Sequence, residues 1–136
     1  MVAEAFANAL DRGDFARVRG LVAPECRYDL RAASLTDEGT LVGPDAIIES
    51  YRSHDSRARR LFDRVEYCSA VEAVAGLTAT IRFGDVLEKD GQRHTYSCRQ
   101  RITLNDSGAI ESIVQQDSTE ETVAVRAFME RVGVKL

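Results

Sequence analysis

Between Arg64 and Asp117 the chain alternates apolar and polar residues in successive segments with no helical period among them. Strand side chains point to opposite faces with a period of two, so each segment can bury one face. A series of such strands joined by tight turns predicts a predominantly antiparallel sheet. In the first segment Val65, Tyr67, Ser69 and Val71 oppose Arg64, Glu66, Cys68 and Glu72; in the second Leu77, Ala79, Ile81, Phe83 and Asp85 oppose Thr78, Thr80 and Arg82. Lys89-Asp90-Gly91 is a hairpin signal, because both Asp and Gly tolerate positive φ. The third segment puts His94, Tyr96, Cys98, Gln100, Ile102 and Leu104 on one side, a more polar row than a plain core strand carries. Asn105-Asp106-Ser107-Gly108 then turns the chain into a last strand over residues 110–117. Gly84 leaves two readings of Asp85: an acid continuing the inward row, or an exposed strand-end aspartate if a bulge changes parity.

The remaining residues supply the cover for this sheet. Phe6, Ala9 and Leu10 have helical spacing that stops at Gly13. Asp14 can cap a second helix with Phe15, Val18, Leu21 and Val22 on its apolar stripe, and Pro24 prevents its continuation. Residues 25–31 alternate, with Cys26, Tyr28 and Leu30 against Arg27, Asp29 and Arg31, which predicts a half-buried strand. The turn-rich stretch 32–42 reads as a short hairpin or a flexible lid. Gly43-Pro44-Asp45 opens a third helix running to about Arg60, in which Ile47, Ile48, Tyr51, Ala58, Leu61 and Phe62 form the stripe and His54 and Asp55 sit on its shoulders. Ser118 and Glu121 have capping-box spacing for a terminal helix with Val125, Phe128, Met129 and Val132 inward.

With 136 residues, 44% of them apolar and 29% charged, the chain fits a single globular domain over 1–136. A net charge of −4 offers no general attraction to phosphate backbones, so nucleic acid is not an expected partner. No apolar run approaches the ~18 residues of a membrane span, and residues 1–6 lack the basic start and long apolar stretch of a signal peptide; the expectation is a cytoplasmic protein. The cysteines, Cys26, Cys68 and Cys98, are three in number without Cys-x-x-Cys spacing and read as reduced, structural thiols. His94 and Cys98 lie ~13 Å apart along a strand at ~3.3 Å per residue, so they do not share a small ion, and no metal site is predicted. Phosphate-cradling glycine loops and a nucleophile-elbow serine are absent. Arg57, Arg59, Arg60 and Arg64, interrupted by Asp55 and Asp63, read as a solvated helix end.

The order of these elements, with the stretches Phe6-Ala7-Asn8-Ala9-Leu10-Asp11-Arg12-Gly13-Asp14-Phe15, Gly43-Pro44-Asp45-Ala46-Ile47 and Asn105-Asp106-Ser107-Gly108-Ala109-Ile110, resembles the nuclear transport factor 2-like superfamily, most closely its SnoaL-like branch. The resemblance covers nearly the whole chain. It implies an α+β cone: N-terminal helices packed on a strongly curved, mostly antiparallel sheet, a C-terminal helix, a pocket in the open end, and a homodimer. Its members include isomerases, dehydratases, polyketide cyclases, epoxide hydrolases and noncatalytic binding subunits, among which fold cannot choose.

Two specific enzyme likenesses fail on the residues. Ketosteroid isomerase chemistry needs a carboxylate base beside a tyrosine and a protonated aspartic acid. Here Phe6 stands at the tyrosine position, Leu30 at the base position unless a one-residue shift brings in Asp29, and Gln100 in place of the second acid. The Arg-x-Asp arrangement of limonene epoxide hydrolases is answered by Arg12-Gly13-Asp14 only at a helix junction, and Arg27-Tyr28-Asp29, which has the spacing, carries both charged groups on the outward face of its predicted strand. A dehydratase or cyclase asks less: a proton-moving group and donors for an oxygen. His54, sharing a helix face with Tyr51, is the first candidate catalyst, and His94, sharing a strand face with Tyr96, the second. Tyr28, Tyr51, Tyr96, Asp85 and Gln100 are candidate substrate-binding residues, with Tyr67 also facing inward. The expected function is a cofactor-independent isomerase, dehydratase or cyclase acting on a hydrophobic, cyclic small molecule. The alternative is a noncatalytic binding or dimeric assembly module using the outer sheet face, with Thr78, Thr80, Arg82, Ser97, Arg99 and Arg101. For each histidine the competing reading is a hydrogen-bonded core residue.

Overall fold

A computed structural model describes residues 1–33 and 39–135. Helices α1 (Val2–Arg12) and α2 (Phe15–Leu21) open the chain, followed by strand β1 (Val22–Asp29), the short β2 (Thr40–Val42) and helix α3 (Pro44–Leu61). Strands β3 (Arg64–Ala75), β4 (Thr78–Lys89), β5 (Gln92–Leu104) and β6 (Ile110–Gln116) form the long meander, and α4 (Thr119–Val132) closes it. They make one open sheet in the order β2-β1-β6-β5-β4-β3, antiparallel throughout except for the β1–β6 pair. This is the expected α+β arrangement of helices on a mostly antiparallel sheet.

The local signals act where they were read. Gly13 adopts φ 68° and ends α1, a left-handed conformation that costs glycine no Cβ clash. The Asp14 carboxylate accepts the Arg17 amide at 3.1 Å, and the Ser118 hydroxyl accepts the Glu121 amide at 3.1 Å, so both helices start on side-chain caps. Asp90 and Gly91 both take positive φ at the β4–β5 turn. Register runs without a shift through Gly84, which pairs with Cys68 on one side and Ser97 on the other, so no bulge forms there and Asp85 keeps its inward parity. Shifts fall instead between Val71 and Ala73 and between Thr103 and Leu104, where extra residues bend the strands.

β1 departs from expectation. It begins at Val22 rather than Glu25 and contains Pro24, because the β1–β6 ladder is irregular between Val22 and Arg27, where a missing N–H is tolerated. Val22, expected at the end of α2, is therefore a strand residue. β2 pairs with β1 from Arg27↔Val42 to Asp29↔Thr40, giving the short hairpin its flanks. Residues 34–38, which carry the rest of that expected hairpin or lid, lie outside the described residues.

Two apolar clusters fill the space over the inner sheet face. One joins Phe6, Ala9 and Val18 of the first helices to Ile47, Ile81, Ile102, Ile110 and Ile113. The other joins Val125, Phe128, Met129 and Val132 of α4 to Phe62, Val65, Leu87 and Tyr96. Between these clusters the sheet is not fully covered.

Candidate functional site

The gap is a cavity of about 500 Å³, walled by α1 and α3, by the inward rows of β3, β4 and β5, by Tyr28 of β1 and Gln115 of β6, and by Met129 of α4. That volume is within the ~300–1,000 Å³ usual for small-molecule sites. Phe15, Phe62, Phe83 and Leu87 supply apolar wall, so the few polar groups stand against a dry background.

Asp85 is central to it. Cross-strand pairing places it between Tyr67 of β3 and Tyr96 of β5. Among the described residues it makes no hydrogen bond, because its two tyrosine neighbours donate elsewhere: Tyr67 to Asp55 at 2.7 Å, Tyr96 to Asp117. Burial, reinforced by the negative charges of Asp11 and Asp117, raises its pKa from 3.8 to about 7. The carboxyl is thus divided between its two protonation states at neutral pH.

Deeper in the wall lies a continuous polar network. Tyr51 donates to Gln100 Oε1 (3.1 Å), Gln100 Nε2 donates to the Tyr28 hydroxyl (2.9 Å) and to Gln115 Oε1 (3.0 Å), and Tyr28 donates to the same Gln115 oxygen (2.9 Å). Gln115 Nε2 donates to Asp117 at 2.8 Å. Gln100 and Gln115 are 4% and 6% exposed, and such burial is tolerable only because their amide groups are hydrogen-bonded. The Tyr28 and Tyr51 rings stack at 5.3 Å, and burial is the main cause pushing both phenol pKa values upward. At the α1 side, Ser69 donates to Asp11 at 2.6 Å, while the second Asp11 oxygen is buried with no partner among the described residues. Asp55 accepts Arg59 Nε at 3.0 Å as well as Tyr67.

Six of the residues singled out from sequence, His54, Tyr28, Tyr51, Tyr96, Asp85 and Gln100, line this cavity. His94 does not. Its ring stacks on Phe128 at 5.2 Å under α4, its Nε2 is buried with no partner among the described residues, and desolvation lowers its pKa. The inward face of β5 is shared between two environments, and His94 lies at the end that α4 covers. Cys98 also lines the cavity, but burial pushes its thiol well above the usual value, so it is no ready nucleophile; Cys26 is pushed up to about 12 for the same first reason. Asp11, Asp55, Gln115 and Asp117 were not singled out. Stepping by two from the buried Ile113 reaches Gln115 and Asp117, and stepping by four from the buried Ala7 reaches Asp11, so a periodic signal for them exists. Among the described residues no group of three or more His, Cys, Asp and Glu is placed to hold a metal ion. Among the described residues, too, no helix is long and apolar enough to cross a membrane.

No family model matches the sequence, and no curated protein matches it. Solved structures do resemble it in shape. TerC co-crystallized with polyporic acid superposes with a TM-score of 0.70 at 14% identity, covering 95% of each chain. An NTF2-like protein of unknown function from Exiguobacterium sp. 255-15 gives 0.63 at 17% identity, over 88% of this chain and 99% of that one. An LEH-like epoxide hydrolase of M. tuberculosis gives 0.62 at 18%, over 97% and 92%. At such identities the likeness is one of fold.

Proposed function

On the nuclear transport factor 2-like fold that this chain adopts, we propose a cofactor-independent enzyme of the isomerase, dehydratase or cyclase kind, in which Asp85 moves a proton on a hydrophobic, ring-containing compound. The observation that carries this reading is the Asp85 carboxyl, set in the cavity wall between two tyrosines and hydrogen-bonded to neither. A structural acid at such a place would have its lone pairs satisfied by the protein; this one keeps them for what enters the cavity. With a pKa of about 7 it can take a proton from a substrate as carboxylate and return it as acid at the same pH. The apolar wall strengthens each such contact relative to water. His54, on α3 at the same cavity, is the second proton-handling group in this reading, and His94 has no part in it. That TerC, similar in fold, was co-crystallized with polyporic acid supports a small organic ligand for this cavity.

The test is proton exchange. Ring hydrogens of 1,3-dihydroxynaphthalene exchange with D₂O through its keto tautomer, and NMR follows the rate. The protein is expected to accelerate exchange, and Asp85→Asn to return it to the buffer rate while the fold persists. No acceleration by the wild type, or acceleration that survives Asp85→Asn, overturns the proposal. A protein that binds the naphthalenediol without accelerating exchange is a binding module.

A further inference from the structure

The hydrogen-bond direction of the network constrains the ligand. A carboxylate can only accept, and Asp117 accepts from both Tyr96 and Gln115. Gln115 must therefore turn its NH₂ toward Asp117 and its oxygen inward. That oxygen is met by Tyr28 and by the Gln100 amide, which spends one proton on each of Gln115 and Tyr28. Gln100 is left with its oxygen toward Tyr51, whose hydroxyl has to donate. Tyr67, outside the network, gives its proton to Asp55. Thus all four phenolic protons, both NH₂ protons of Gln100 and one of Gln115 are directed at protein acceptors. What the sheet wall offers a ligand is acceptors: above all the two Asp85 oxygens, then remaining lone pairs on the phenols.

From this we infer that Asp117 sets the polarity of the sheet wall of the cavity, and that the ligand is a ring compound that meets this wall through its own hydroxyl or N–H donors rather than through a carbonyl oxygen. The inference rests on the cavity of the proposed function and names its substrate class. A ligand bringing only a carbonyl finds no donor on the sheet wall while Asp85 is ionised, and strands both its own oxygen and the Asp85 oxygens. A hydroxyl satisfies Asp85 directly.

The test compares two probes of one skeleton by calorimetry at pH 8: 2-naphthol, a donor, and 2-acetylnaphthalene, an acceptor only. A hydrogen bond to a charged group, desolvated on both sides, is worth about a 10-fold or greater preference for 2-naphthol. At pH 5, where Asp85 carries a proton and can itself donate, the preference narrows in the wild type. In Asp117→Asn the amide can donate toward Gln115, the network can reverse, and the preference falls at pH 8 while the melting temperature reports whether the fold is kept. Equal binding of the two probes by the wild type at pH 8, or tighter binding of 2-acetylnaphthalene, overturns the inference whatever the variant does. An unchanged preference in folded Asp117→Asn overturns the role of Asp117. Loss of Asp85-dependent exchange with the hydroxyl preference intact would remove the chemistry and leave this inference standing.

Discussion

Asp85→Asn is expected to make the protein more stable in mildly alkaline solution while removing its chemistry. In the folded state the carboxyl pKa is about 7, against 3.8 for the ordinary group. Between those values the native state holds a proton that the unfolded chain has released, so stability falls as pH rises from about 4 to about 7 and levels off above. A rise of about three pH units corresponds to about 4 kcal/mol at most, at about 1.4 kcal/mol per unit. The cavity opens to solvent, and water reaching the charge brings this to about 2 kcal/mol. Asparagine is nearly isosteric and never ionises. Wild type and variant should therefore melt together at about pH 3, below both pKa values, and the variant should melt about 8 °C higher at pH 8, for a domain of this size. Thermal denaturation by circular dichroism at the two pH values measures it. A variant that is less stable than wild type at both pH values, or a difference between them that does not change with pH, would refute the account of Asp85 as a desolvated acid.

Gln100→Leu deprives Tyr51 of its acceptor and Tyr28 of a donor in a buried setting, and should cost about 3 kcal/mol in urea denaturation with an unchanged m value. His94→Phe keeps the ring packed on Phe128 and removes the unpartnered nitrogen, so stability should be equal or higher and proton exchange unaltered. Because the folded-state pKa of His94 lies below 6.5, the native state resists protonation; wild-type stability attributable to it is lost as pH falls below 6.5, and His94→Phe should flatten that limb of a pH–stability curve. Ser118→Ala removes the α4 cap and should cost about 1 kcal/mol, seen as earlier amide exchange in α4 than in α3.

Much of the architecture could be read locally. Gly13, Asp14, Gly43-Pro44 and Ser118 act on the backbone within a turn or so of themselves, and period-two alternation assigned the inward rows of β3, β4 and β5 without knowledge of any partner strand. The failures share a cause. Pro24 lies within β1 because of an irregular ladder with β6, whose residues are more than eighty positions away. The parity of Asp85 depended on whether Gly84 bulged, which its pairing with Cys68 and Ser97 decided. Gln115 and Asp117 passed unnoticed because the alternation of β6 shifts after Ile110, at the irregularity opposite Leu104.

The sequence by itself determined which side chains share a face, since that follows from the strand and helix periods, and so it gathered Tyr28, Tyr51, Tyr96 and Gln100 as inward groups and left Asp85 to the register at Gly84. It could not say what each would meet there. His94 and Tyr96 have identical parity on one strand, yet the first lies against Phe128 while the second lines the cavity, a division made by where α4 ends over β5. The shifted proton affinity of Asp85 likewise exists only in three dimensions: Coulomb forces and desolvation depend on distance through space, and Asp11, Asp85 and Asp117 become neighbours only when α1, β4 and the end of β6 are folded together.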